Sequence, residues 1–186
     1  MSNMRDYYQA WVSDAGKEYR EDFYKRSRFS GTNPLRDNPT VAELCKSISA
    51  HNPKSILEIG CGYGRLLHPV TIFFQELAGV PVAGCDVSDD MISLCSNDLD
   101  VFHWDIYKKR LKEVRYEDGK TCFDVAYSRG VFMYFTKEQL WTAMKHVSEI
   151  VDKAILIYEW EWVCTMMKRT FSQGNFEYHY IEQVDE

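Results

Sequence analysis

The sequence lacks several features that would have fixed its class at once. It has no C-x-x-C pair. Its six cysteines (Cys45, Cys61, Cys85, Cys95, Cys122 and Cys164) are scattered, and none stands with a histidine at ligand spacing, so reduced thiols and no metal site are expected. No run comes near the roughly 20 apolar residues of a membrane helix. The opening MSNMRDYYQA has no apolar core of the secretory kind, and a cytoplasmic protein without membrane contact is expected. Basic charge is not in excess: 22 Lys and Arg stand against 28 Asp and Glu, a net charge of −6. That excludes a large phosphate-binding face and argues against nucleic acid as a partner. The densest basic run, Lys108, Lys109, Arg110 and Lys112, is followed by Glu113, Glu117 and Asp118 and reads as a solvated face. No repeat, low-complexity tract or long linker divides the 186 residues, so a single domain with a substantial core is expected.

What is present falls into two parts. Residues 1–40 carry Tyr7, Tyr8, Trp11, Tyr19, Phe23, Tyr24 and Phe29 among many charges. Trp11, Ala15, Tyr19 and Phe23 recur every four residues, which predicts an amphipathic helix ending before Gly31. This segment is read as a helical N-terminal extension or lid ahead of a ligand-binding unit over 41–186. A second helix is predicted from Pro39 to about Ala50, with Val41, Leu44, Cys45 and Ile48 on one face.

From Lys54 onward, short apolar runs alternate with helical patterns. Strands are predicted at 55–60, 81–86, 101–105, 123–128 and 154–160. Helices are predicted within 64–78, after Ser88, over 136–151 and within 163–171, and a last strand over 176–184. Thr136 and Gln139 stand at capping-box spacing, and Pro69 should kink its helix or mark the true start. Strands apolar on both faces, alternating with helices, predict an α/β fold: a three-layer α/β/α sandwich around a mostly parallel, doubly wound, Rossmann-like sheet.

In such sheets ligands bind beyond the carboxyl ends of the strands, at the switch point in strand order. The first strand ends in Gly60, Cys61, Gly62, Tyr63 and Gly64, where glycines permit tight turns and close approach of a ligand to the main chain. Asp86 ends the second strand and can accept hydrogen bonds from both hydroxyls of a ribose. Asp105 ends the third and can accept from an adenine amino group, with Trp104 or Ile106 covering the base. Each acid taken singly also suits a loop cap, but glycines, acid and acid on three consecutive strand ends form a nucleoside-binding pattern. The loop reads E-x-G-x-G-x-G from Glu58, whereas a dinucleotide loop, G-x-G-x-x-G, needs glycine where Arg65 stands.

Residues 55–67, 82–95, 101–107 and 123–160 together resemble the class I S-adenosylmethionine (SAM)-dependent methyltransferases. SILEIGCGYGRLL is similar to the first motif of that family and VAGCDVSDDMI to the second. HWDIY is similar to the third, and FDVAYSRGVFMYF to the fourth-strand motif. The resemblance implies SAM as cofactor, held by Glu58, Gly60, Cys61, Gly62, Gly64, Asp86, Val87, Ser88, Met91, Trp104, Asp105 and Ile106. Ser128 and Arg129 would lie near its methionine end. It also implies two strands after the fifth, one antiparallel. Only 26 residues follow Trp160, so the sheet is expected to be trimmed at its C-terminal edge. Enzymes of this fold that methylate base amino groups carry [DNS]-P-P-[YF] after the fourth strand. Here the chain reads YSRG, and a small-molecule acceptor is expected instead.

The candidates for a catalytic role are Glu159, Tyr134, Arg129 and His103. Glu159 could serve as a base or instead pair with an arginine or cap a helix, and Tyr134 could simply pack. Two other functions are open at this point: an NAD-dependent oxidoreductase, and a SAM-binding regulatory protein without turnover.

Overall fold

The computed structural model describes residues 17, 18, 21, 39–76, 78–111, 122–172 and 174–181. The predicted helix through Trp11 and Phe23, the lid assigned to it, and residues 182–184 of the last predicted strand lie outside these.

Helix α1 (Pro39–Ser49) buries Val41, Leu44, Cys45 and Ile48, the face marked by its periodicity. Strand β1 (Ile56–Ile59) leads through turns to α2 (Leu67–Thr71), which runs on as a π-helical turn over Ile72–Glu76. Pro69 falls in the first turn of α2, where its missing N–H costs no helical bond, so it marks the start and not a kink. Strand β2 (Val82–Asp86) is followed by α3 (Asp89–Ile92), β3 (Asp100–His103) and β4 (Phe123–Arg129). A 3₁₀ turn (Phe132–Tyr134) then leads to α4 (Lys137–Ser148). At its start Thr136 and Gln139 form both bonds of the predicted capping box. Strand β5 (Val151–Trp160), α5 (Glu161–Thr170) and β6 (Phe176–Ile181) complete the described chain.

The strands form one sheet in the order β3-β2-β1-β4-β5-β6, and every pairing is parallel. Helices cover both faces. On one face, Leu44 and Ile48 of α1 and Leu67 and Val70 of α2 pack on Ile56, Val82 and Leu156. On the other, Leu140, Met144 and Val147 of α4 and Val163 and Met167 of α5 pack on Leu57, Ala126 and Ile155. This is the three-layer, doubly wound architecture that the alternating pattern predicts. At the edge, β6 lies directly beside β5 and parallel to it, and no antiparallel strand occurs among the described residues.

The chain moves from β1 outward to β3, then crosses back to β4 on the other side of β1. Connections on the two sides therefore diverge above the carboxyl ends of β1 and β4. A crevice opens between them.

Candidate functional site

A cavity of about 440 Å³ occupies that switch point. One side is built by the ends of β1, β2 and β3, the other by the segment after β4 and by the end of β5.

Three glycines shape the turn after β1, and all have positive φ: Gly60 at 71°, Gly62 at 56° and Gly64 at 84°. At Gly60 a Cβ would also lie 2.3 Å from Val131 Cγ2, so glycine is demanded there by conformation and by space. The N–H groups of Gly60 and Cys61 both donate to the carbonyl of Cys85, at 2.8 and 2.9 Å, tying the turn to β2. Gly62 N–H donates to Asp86 Oδ2 at 2.8 Å, and Ser88 N–H to Asp86 Oδ1 at 2.9 Å. Asp86 is 8% exposed and lines the cavity. Burial raises its carboxyl above the usual range, while the N–H groups of Ser88 and Gly62 work the other way.

Asp105 lies two residues past the end of β3. Its Oδ1 accepts from the N–H of Tyr107 and of Lys108, each at 3.1 Å, closing a turn, while the residue faces the cavity. Trp104 and Ile106 flank it on the cavity wall, and the Trp104 indole is fixed by donating to the Lys109 carbonyl at 2.9 Å.

At the floor, Glu58 of β1 is 3% exposed and accepts the Tyr127 hydroxyl at 2.8 Å. Burial raises its carboxyl to about 8, against the pull of the Tyr127 hydrogen bond. Arg129, at the end of β4, reaches the same cavity, and its Nη1 is buried without a hydrogen-bond partner among the described residues. Burial and then the charge of Arg65 lower its pKa, while Glu58 opposes them. A buried carboxyl and a guanidinium nitrogen lacking a partner thus stand at the mid-point of the sheet, open to a ligand with charges of both signs.

Most residues expected at a cofactor site meet here: Glu58, Gly60, Cys61, Gly62, Asp86, Val87, Met91, Trp104, Asp105, Ile106 and Arg129 all line the cavity, as does Tyr134. Five others do not. Gly64 is turned toward Leu99 and Cys95 and shapes the turn from behind. Ser88 caps α3, its Oγ accepting from Met91 N–H at 3.4 Å. Ser128 is buried within β4. His103 sits on the surface with Nδ1 2.7 Å from Asp89 Oδ1.

Glu159 is 0% exposed, and its Oε1 accepts the N–H groups of Val131 and Phe132 at 2.5 and 2.7 Å. It therefore caps the 3₁₀ turn, the alternative role weighed above. A side chain so held reaches no cavity surface.

Sequence reasoning passed over the opposite wall, formed by Val131, Met133, Phe135 and Trp160. Trp160 Nε1–H donates to the Met133 sulfur at 3.3 Å, so the two hold each other in place. The signal was there, an apolar run directly after Gly130 at a strand's carboxyl end. Arg65 and Tyr63 also line the cavity. Among the described residues no cluster of His, Cys, Asp or Glu could hold a metal, and no helix is long and apolar enough to cross a membrane.

Fold and site together define a doubly wound α/β protein with a cavity of about 440 Å³ at its switch point. The chain belongs to the methyltransferase domain family, whose model matches residues 56–154. No curated protein matches it in sequence. Among solved structures it is similar to the plantazolicin methyltransferase BpumL in complex with S-adenosylhomocysteine (SAH), with a TM-score of 0.53 and 20% identity over 82% of this chain and 56% of that one. It is similar to DesVI of Streptomyces venezuelae, with a TM-score of 0.55 and 18% identity over 78% and 58% of the two chains. It is also similar to the magnesium protoporphyrin IX methyltransferase ChlM of Synechocystis with bound SAM, with a TM-score of 0.54 and 15% identity over 84% and 77%. The chain thus spans little more than half the length of the first two, and these likenesses establish the fold.

Proposed function

We propose that this protein is an enzyme that binds SAM in the switch-point cavity and transfers its methyl group to a small-molecule acceptor. The observation that carries the reading is the Asp86 carboxylate, buried at the end of β2, bonded to the glycine turn and still facing the cavity. Its oxygens accept the N–H groups of Gly62 and Ser88, and a carboxylate has further lone pairs to offer the hydroxyls of a ribose. Asp105 is assigned to the adenine amino group, with Met91, Trp104 and Ile106 against the base and Val87 beside the sugar. Glu58 and Arg129 are assigned to the ammonium and carboxylate of the amino-acid end, which gives the Arg129 Nη1 its missing acceptor. Gly60, Cys61 and Gly62 offer main chain without bulk, while Gly64, Ser88 and Ser128 support the turns behind them.

Bound there, SAM supplies a methyl group on a sulfonium, already activated for transfer. The chain's own part is to place the acceptor in line and to exclude water. Positioning of this kind can contribute roughly 7–11 kcal/mol. The wall of Val131, Met133, Phe135 and Trp160 suits an acceptor with an apolar face, and Tyr134 is the polar group on that side. The aromatic segment 1–40 is proposed as the cover over it. Cytoplasmic location and independence of nucleic acid belong to the same proposal, in keeping with the acidic charge balance.

Isothermal titration with SAH should show binding, and labelled SAM incubated with fractionated metabolites should yield a product heavier by one methyl. Absence of SAH binding would overturn the reading. Binding without turnover on any acceptor pool would turn it toward the regulatory alternative. The dinucleotide alternative predicts binding of NADH, and Arg65 on the cavity wall, where that loop needs glycine, stands against it.

A further inference from the structure

Two of the scattered cysteines converge behind the glycine turn. Cys61 is the second residue of that turn, and Cys95 follows α3, 34 positions later. Their sulfurs approach the same oxygen, the carbonyl of Gly62: Cys61 Sγ at 3.8 Å and Cys95 Sγ at 3.4 Å. The shared carbonyl places the two thiols side by side, each acting on the other's ionisation. Cys61 is buried, whereas Cys95 is partly open to solvent.

We propose that Cys61 and Cys95 form a redox-sensitive pair in which hydrogen peroxide drives a disulfide that distorts the cofactor turn and closes the site. The consequence for the cofactor rests on the methyltransferase reading given above, whereas the disulfide itself does not.

The chemistry assigns different roles to the two thiols. The neighbouring Cys61 thiol lowers the pKa of Cys95, against the effect of burial, while the Cys95 sulfur and burial raise that of Cys61. Cys95 is therefore the thiolate that reacts and Cys61 the thiol that resolves, the arrangement of an accessible sulfur beside a protected partner. Cys95 sulfur attacks one peroxide oxygen; the S–O bond forms, the O–O bond breaks, and hydroxide leaves and is protonated to water. Cys61 then gives up its proton and attacks the sulfenic sulfur. The S–S bond forms, the S–O bond breaks, and a second water departs. Two thiols and one peroxide yield one disulfide and two waters.

The distortion follows from how tightly the turn is packed. A disulfide needs the sulfurs about 2.05 Å apart, so both must leave the Gly62 carbonyl they now face and draw together across the turn. Cys61 packs over the main chain of Gly84, its Cβ and Sγ 2.9 and 3.0 Å from where a Cβ there would stand. Gly64 is similarly confined, with Leu99 Cδ1 2.8 Å and Cys95 Sγ 3.5 Å from a Cβ built there. The displacement then falls on Gly62, the residue next to Cys61, whose carbonyl faces both sulfurs and whose N–H holds Asp86.

The test uses the full chain carrying Cys122→Ser, which removes an exposed thiol from the readout. After peroxide treatment, digestion with trypsin and with a protease that cleaves before aspartate separates Cys85 from Cys95 at Asp86. Mass spectrometry should then find Cys61 joined to Cys95. SAH affinity should fall at least roughly tenfold and return with dithiothreitol, while Cys95→Ser should bind like the reduced protein before and after peroxide. A missing Cys61–Cys95 link, a Cys61–Cys85 link in its place, or a link that leaves affinity unchanged would each overturn the proposal. If the reduced protein binds no SAH, the methyltransferase reading falls instead. Hydrogen exchange of the 60–64 amides, altered by the disulfide or not, then decides whether the turn is distorted.

Discussion

Gly62 donates its backbone N–H to Asp86 Oδ2 across 2.8 Å, joining the turn after β1 to the acid that ends β2. The pair couples two jobs. The amide orients the carboxylate toward the cavity, and the carboxylate holds a glycine at a φ of 56° in place. Loss of either partner leaves a buried polar group unsatisfied, and such losses cost more than the bond itself contributes.

Asp86→Ala should therefore lower SAH affinity by tens-fold, about 2 kcal/mol, and also lower thermal stability, because the Gly62 and Ser88 amides lose their acceptor. Asp86→Asn keeps one acceptor oxygen and should fall between. Calorimetry of both variants checks this. An alanine variant with wild-type affinity would remove Asp86 from the sugar site.

Gly60→Ala should destabilise by at least about 1–2 kcal/mol from the left-handed backbone alone, with the Val131 clash in addition. Adding Val131→Ala should recover the clash and not the backbone cost. Urea unfolding of the two single variants and the double variant measures this as a non-additive cycle. Strict additivity would show that the turn yields elsewhere.

Stability should fall as pH rises toward neutrality. Burial raises Glu159 to about 7 and Glu58 to about 8 in the native protein, against about 4.3 for a glutamate in the unfolded chain. Between these values the native state binds more protons than the unfolded state, so the slope of stability with pH is negative. The contribution is complete below about pH 4 and is lost through pH 7 to 8. Glu159→Gln keeps an oxygen for the Val131 and Phe132 amides and should flatten part of the slope. Denaturation midpoints from pH 5 to 9 test it, and an unchanged slope would assign the titration elsewhere.

Deleting residues 1–30 should weaken acceptor turnover more than SAM binding, because among the described residues the side of the cavity with the glycine turn is built from those after 57. Steady-state kinetics alongside SAH titration separates the two effects. Equal loss of both would reject the segment as a cover.

The side of the cavity with the glycine turn was legible in the sequence because its signals are local. Glycines, Asp86 and Asp105 each follow an apolar run within a few residues, and strand alternation alone puts those ends on one side of a sheet. The capping box of α4 was legible for the same reason. Glu159 was not: its two partners lie 27 and 28 positions earlier and meet it only once β5 pairs with β4. His103 likewise finds Asp89 across the β2–β3 connection, a partner that no spacing rule names. The wall of Met133 and Trp160 was missed because an apolar run reads as core until a cavity is seen beside it.

The crossover from β3 to β4 divides the molecule's labour. One flank of the crevice comes from chain before residue 107 and the other from chain after 128. The stretch Gly130–Phe135, anchored by Glu159 from beneath, is consequently an exchangeable cassette. Met133 and Tyr134 are the positions there that can change most freely, since Val131 packs on Gly60 and Phe132 is buried in the core. Change on one flank can therefore be confined to two side chains while the glycine turn and its aspartate stay as they are.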